Sequence, residues 1–205
     1  MAARPAQGRR RPDTPRKGDV REQAVLDTAE ALLGEVGFEA MTVADIAEGA
    51  GISRGSLYFY FRSKQDVVAG LVARTVVALQ QKSRDAAHDR AEPREAIETV
   101  MARTRALWQE HGVVMRAATD LNRTVLEVGL LWSRTAEVFI EAITRILHRA
   151  GAPEGEGPHA AGSLARALCW MIERTFYHAS QAGDDELERA SATCLEIWLR
   201  TARLV

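Results

Sequence analysis

The residues with recognisable binding chemistry lie between Met41 and Asp66, in the run MTVADIAEGAGISRGSLYFYFRSKQD. Arg54 can donate to guanine O6 and N7, or to a phosphate. Gly55 and Ser56 beside it are small enough to let a backbone approach base edges. Tyr58, Tyr60 and Lys64 follow at spacings that let two hydroxyls and an ammonium meet one phosphate strand. Between Gly51 and Gln65 stand three basic residues, Arg54, Arg62 and Lys64, and no acidic one, so the local field suits a polyanion.

Those side chains need elements to hold them. Thr42 is a helix N-cap candidate, and Asp45 three residues on can return a bond to the cap, an acidic form of the capping box. Val43, Ile46, Ala47 and Ala50 supply a short apolar stripe at helical spacing. Gly49 and Gly51 end that helix, Gly51 being suited to the positive φ of a C-terminal turn. Ser53 caps a brief second helix that runs into Phe59-Tyr60-Phe61, and Ser63 with Asp66 repeats the capping logic for a third. Helix, glycine turn and short polar-faced helix is the layout of a helix-turn-helix DNA reader. Thr42 and Ser53, at the two helix starts, complete the candidate DNA-binding set. Phe59 and Phe61 are expected in the core, with Tyr58 and Tyr60 alternating outward. An ordinary helical hairpin with core aromatics is the plainer reading of the same pattern.

The longer run GFEAMTVADIAEGAGISRGSLYFYFRSKQDVV resembles the N-terminal domain of TetR-family transcriptional regulators. It carries a helix ending in Gly-Phe, then Thr-(apolar)-x-x-Ile-Ala, Ala-Gly-(apolar)-Ser, Leu-Tyr-x-Tyr-Phe and Ser-Lys-x-x-(apolar), in that order. Leu131-Trp132-Ser133 and Met171-Ile172-Glu173-Arg174-Thr175-Phe176 are similar to the mycobacterial ethionamide-resistance regulator branch of that family. The resemblance implies a cytoplasmic regulator that binds a double-stranded DNA operator as a homodimer. It also implies a small apolar effector and a four-helix dimer interface built from the last two helices of each subunit. In that branch, asparagine amides near the start of the Met-x-Glu-Arg-Thr run anchor the ligand. Cys169 and Ile172 stand there in this chain, which implies a more apolar ligand.

The composition narrows the alternatives. Net charge is −1 over 205 residues, so DNA binding must come from a local patch rather than from bulk charge. No run approaches the length of apolar sequence that a bilayer span needs, and the arginine-bearing N-terminus has no apolar core of a secretory signal. Cys169 and Cys194 sit at helical spacing among apolar residues and are expected to be buried thiols. The five histidines are scattered, with no HExxH, no nucleophile elbow and no paired carboxylates, so neither an enzyme nor a cofactor or metal site is expected. Strand-like alternation is missing, so the expected fold is all-α: a three-helix DNA-binding domain followed by a helical effector-binding and dimerisation domain.

Along the chain, residues 1–19 hold six basic and two acidic residues and three prolines, and are expected to form a disordered basic arm that follows DNA phosphates. Residues 20–66 form the DNA-binding domain and 67–205 the second domain. The helix after Ser63, apolar at Val67, Val68, Leu71, Val72, Val76 and Leu79, is expected to run to about His88 and join the two. Further helices are expected from Pro93 to Glu110, Val113 to Asp120, Arg123 to Ala150, His159 to Ala182 and Asp184 to Arg203, with His111-Gly112 as a turn. The last helix carries two apolar stripes: Leu187, Ala190, Cys194, Ile197, Thr201 and Leu204, and Ser191, Leu195, Trp198 and Ala202. Such a helix points to a dimer.

Aromatics and methionines gather in the second domain. Met101, Trp108, Trp132, Ala136, Phe139, Cys169, Trp170, Glu173, Tyr177 and Trp198 are the candidate effector-binding residues, an adaptable apolar cavity on one reading and a plain core on the other. Glu173 and Arg174 are expected as an ion pair on their helix, either buried and closing the cavity or exposed. With a cavity, the chain is a ligand-responsive regulator, most simply a repressor. Without one, it is an architectural DNA-binding protein free of effector control.

Overall fold

The structure is a computed structural model, described here for residues 17–84 and 91–204. Among these residues every regular element is a helix. α1 (Lys17–Glu35), α2 (Gly37–Ala40), α3 (Val43–Gly49) and α4 (Arg54–Tyr60) form the N-terminal unit. α5 (Lys64–Arg84) leads to α6 (Pro93–Leu121), α7 (Leu126–Arg149), α8 (Ala161–Ala182) and α9 (Asp184–Thr201). The expected arm falls mostly outside the described residues, as does the expected end of α5 near His88. α1 starts at Lys17, inside the span expected for the arm.

The caps form as their sequence suggests. Thr42 Oγ1 accepts from the Asp45 amide at 3.2 Å, and the Thr42 amide donates to Asp45 Oδ2 at 3.0 Å. Ser53 Oγ accepts from the Ser56 amide at 3.1 Å. Ser63 Oγ accepts from the Asp66 amide at 3.1 Å, while the Asp66 carboxylate reaches one residue further back, to the Arg62 amide at 2.9 Å. Gly51 turns the chain at φ 65°. Gly49 lets α3 lie close on α1: a Cβ there would stand 2.6 Å from Thr28 Cγ2.

One continuous core runs from Val25 on α1 to Ala202 just past α9. Residue 67 therefore marks no break. α5 packs on α1 and also on α6 and α7, carrying Val67, Val68 and Leu71 fully buried. A polar tie reinforces this join. Arg74 on α5 reaches Asp27 at 2.5 Å and Glu30 at 2.7 Å on α1, and Glu30 lies 3.7 Å from Nδ1 of His111 on α6.

Two expectations about the second domain change. The turn at His111-Gly112 is a kink inside a single α6, where His111 alone leaves helical geometry at φ −126°, ψ 21°. The two stripes of α9 merge into one inward face of Leu187, Ala190, Ser191, Cys194, Trp198 and Leu199, packed on α6 and α8. Ile197, expected on a buried stripe, is 38% exposed.

Candidate functional site

α4 presents the DNA-reading residues. It is N-capped by Ser53 and anchored by one fully buried side chain, Leu57, with Phe61 buried a turn later. Ser53, Arg54, Gly55 and Tyr58 are exposed, and Ser56 is half-buried with its hydroxyl 2.9 Å from Ser53 Oγ. Arg62, just past the helix, is also exposed. Together they give a small-residue helix N-terminus flanked by two guanidinium groups.

Phe59 corrects the reading of the aromatic run. It is 84% exposed, although it was expected in the core. The error lies in treating Tyr58 to Phe61 as an alternating strand. On a helix, Leu57 and Phe61 are four apart and share the inward face, so Tyr58 and Phe59 must both point out. Phe59 thus joins the candidate surface as an apolar group that can meet a thymine methyl. Tyr60 turns partly inward and packs against the core, with its ring edge-on to Phe59 at 5.3 Å.

Lys64 is a second correction. Its Nζ donates to the carbonyls of Phe38 at 2.8 Å, Glu39 at 3.1 Å and Met41 at 3.1 Å, and lies 4.5 Å from the centre of the Phe38 ring. An ammonium has three N–H donors, and these three carbonyls take them all. Lys64 is therefore not a free phosphate donor. The partners lie 23 to 26 residues away, so nothing local could have flagged them. Thr42 also spends its hydroxyl inside the protein, donating to Asp45 Oδ2 at 2.8 Å, but stays exposed at the start of α3.

The effector set does not gather in one lining. Met101, Trp108, Trp132, Ala136 and Trp198 are buried in the common core, with Trp108 tilted against Phe176 at 6.3 Å. Phe139, Cys169, Glu173 and Tyr177 are half-buried, and Trp170 is 40% exposed on the outer row of α8. Glu173 accepts from Thr119 Oγ1 at 3.1 Å, tying α8 to α6. Arg174 lies over the Tyr177 ring at 5.0 Å instead of pairing with Glu173. The Tyr177 hydroxyl donates to Asp120 at 2.6 Å, and that bond to a carboxylate raises its pKa. Burial, with Glu173 and Glu137 nearby, pushes the Cys169 thiol up to about 11, so it stays protonated at neutral pH. Trp198 is fully buried and its Nε1 has no hydrogen-bond partner. A hollow of about 310 Å³ opens at the join of α1 and α2 with α6, lined in part by Leu33, Phe38, Val113, Arg116 and Asp120. None of the effector set borders it.

A capped helix-turn-helix with an exposed second helix, set on a larger helical domain, is the arrangement of a one-chain transcriptional regulator. Residues 25–71 match the family model of bacterial regulatory proteins of the tetR family, and residues 93–202 match that of the C-terminal domain of the transcriptional regulator EthR. The chain belongs to the TetR family of bacterial transcriptional regulators, in its EthR branch. It is 37% identical over 192 residues to the HTH-type transcriptional regulator EthR of Mycobacterium tuberculosis, covering 89% of this chain and 87% of that one. Over 96 residues it is 38% identical to the transcriptional repressor KstR2 of the same species, covering 46% of this chain and 48% of that one. Among solved structures, FadR from Bacillus subtilis in complex with stearoyl-CoA shares the fold at a TM-score of 0.69 and 20% identity, covering 86% of this chain and 96% of that one. Among the described residues no helix is long and apolar enough to cross a membrane.

Proposed function

We propose that this chain is a cytoplasmic repressor that grips a pseudo-palindromic operator as a homodimer and lets go when a small apolar effector enters its second domain. The observation that carries the DNA half is α4. It exposes Arg54, Gly55, Tyr58 and Phe59 on a helix whose first turn is free of acidic groups. Arg54 reads guanine, Phe59 meets a thymine methyl, and Tyr58 and Arg62 follow the phosphates.

The dimer half rests on α8 and α9. Ala167 and Trp170 are exposed on the outer row of α8, and Thr193 and Ile197, four residues apart, on that of α9. Small and apolar side chains on two neighbouring helices suit a four-helix, two-fold interface. Such a dimer sets the two copies of α4 about one helical turn of DNA apart.

The effector half rests on Trp198. A buried indole N–H without a partner costs about 1–3 kcal/mol, and a ligand with one acceptor would recover it. The preferred effector is therefore an apolar body carrying a single carbonyl or ether oxygen. It must enter by parting Met101, Trp108 and Trp198, which pack together in the core. α5 touches α1, α6 and α7, so parting the core moves the DNA-reading unit. The ligand must favour the DNA-incompetent state, since equal affinity for both states shifts nothing.

Footprinting on DNA selected by the protein from a random pool, with sedimentation of the complex, tests the first two halves. Two symmetric half-sites bound by a dimer are expected; a monomer with full affinity refutes the dimer. Titration of tryptophan fluorescence with apolar ketones and esters, read beside DNA release, tests the third. Quenching without release leaves the architectural reading, which the buried state of five of the ten effector candidates favours.

A further inference from the structure

The triple bond of Lys64 has a consequence for DNA reading, and the inference rests on α4 being the DNA-reading helix. We infer that Lys64 serves DNA binding by position and not by charge: its ammonium is the clasp that closes the helix-turn-helix. The chain leaves the clasp at Phe38 to Met41, passes through α3, the glycine turn and α4, and returns at Lys64, the first residue of α5.

α2 needs such a clasp. It has four residues and buries none, so no core contact fixes it. The last carbonyls of a helix lack intrahelical partners and favour a nearby cation. Lys64 supplies both the donors and the charge. Met41 follows directly, fully buried, and Thr42 after it caps α3. Fixing three carbonyls in this corner sets where α3 begins, and α3 is the platform on which α4 packs. The other end of the clasp is firm, because Ser63 and Asp66 cap the first turn of α5.

A clasp and a phosphate ligand make opposite predictions for Lys64→Arg. An arginine keeps the charge and can still follow a phosphate, but its planar fork cannot meet three carbonyls that converge on one atom. Lys64→Met keeps the apolar stem and loses both. The first measurement is amide hydrogen exchange in the free protein. Both variants are expected to exchange at Ile46, Ala47 and Ala50 at least about tenfold faster than wild type, and to melt earlier. Unchanged exchange and melting in Lys64→Met overturn the clasp, whatever the protein does with DNA.

The second measurement is the salt dependence of affinity for the duplex selected by wild type. Each phosphate contact contributes about 0.9 to the slope of log K against log salt. With the clasp, Lys64→Met keeps the wild-type slope while affinity falls, and Lys64→Arg fails to restore it. If Lys64→Arg binds like wild type and Lys64→Met lowers the slope by about 0.9, Lys64 is a phosphate ligand and the inference is wrong. Failure of wild type to select any duplex refutes the DNA reading and leaves the exchange result to decide the clasp.

Discussion

α3 and α4 have seven residues each and between them bury only Ile46, Ala47 and Leu57, whereas α6 has 29 residues and buries a side chain on nearly every turn. The two ends of the molecule are held by different forces. The reading end is a set of short helices fixed by caps, a glycine turn and the Lys64 clasp, each a local bond of modest strength. The aromatic half is held by burial, with Trp198, Phe176, Met101 and Leu147 among its largest fully enclosed side chains. Surface residues of the first region can therefore change without unfolding it. Residues of the second cannot, and this is a constraint on any ligand that enters there.

The largest effect is expected at Trp198. If it is core, Trp198→Ala costs about 3–5 kcal/mol of stability, seen as a lower urea midpoint with an unchanged slope. If it instead lines a site the fold does not depend on, the midpoint barely moves and only ligand affinity falls. That result would erase the contrast between the two regions.

Arg54→Ala comes next, at about 1–3 kcal/mol of discrimination between bases if the guanidinium is bidentate to guanine. Stability should be unchanged, because Arg54 is exposed and no core contact depends on it. Equal weakening on every sequence would make Arg54 a phosphate contact. A smaller effect, about 1 kcal/mol of stability, is expected for Thr42→Ala, which removes one cap of α3 and frees the Asp45 carboxylate. Little or no loss would mean that packing, and not capping, holds the reading end.

The same contrast explains what the sequence could reveal. The caps at Thr42, Ser53 and Ser63 and the turn at Gly51 involve partners within four residues, so spacing alone locates them. Arg54, Gly55 and Tyr58 inherit their exposure from that local frame. Phe59 was legible too, had helical period been used in place of alternation. Lys64 was not, since its partners are set by folding and not by spacing. In the aromatic half the difficulty is deeper. A core and an apolar cavity demand the same residue types at the same period, so periodicity cannot separate Trp132 in a core from Trp132 in a ligand site. The two stripes of α9 failed for a related reason: one broad inward face, served by α6 on one side and α8 on the other, looks like two in a helical projection.

The smallest effect on folding, and the sharpest on assembly, is expected for Thr193→Glu. Thr193 is exposed one turn before Ile197 on the outer row of α9, away from the face that packs on α6 and α8. Glutamate is a better helix former than threonine, so the isolated subunit should keep its stability to within about 0.5 kcal/mol. In a two-fold dimer through α8 and α9, one substitution appears twice, and each copy buries a carboxylate against an apolar neighbour. Taking an unpaired charge out of water is costly enough to prevent that interface from closing. Sedimentation should then report a monomer with native helix content, and operator affinity should drop because two half-sites no longer share one binder. A dimer that survives Thr193→Glu and still binds its operator would place the interface on another face of the molecule. The exposed row on α9 would then need a different explanation, while the reading end would stand as described.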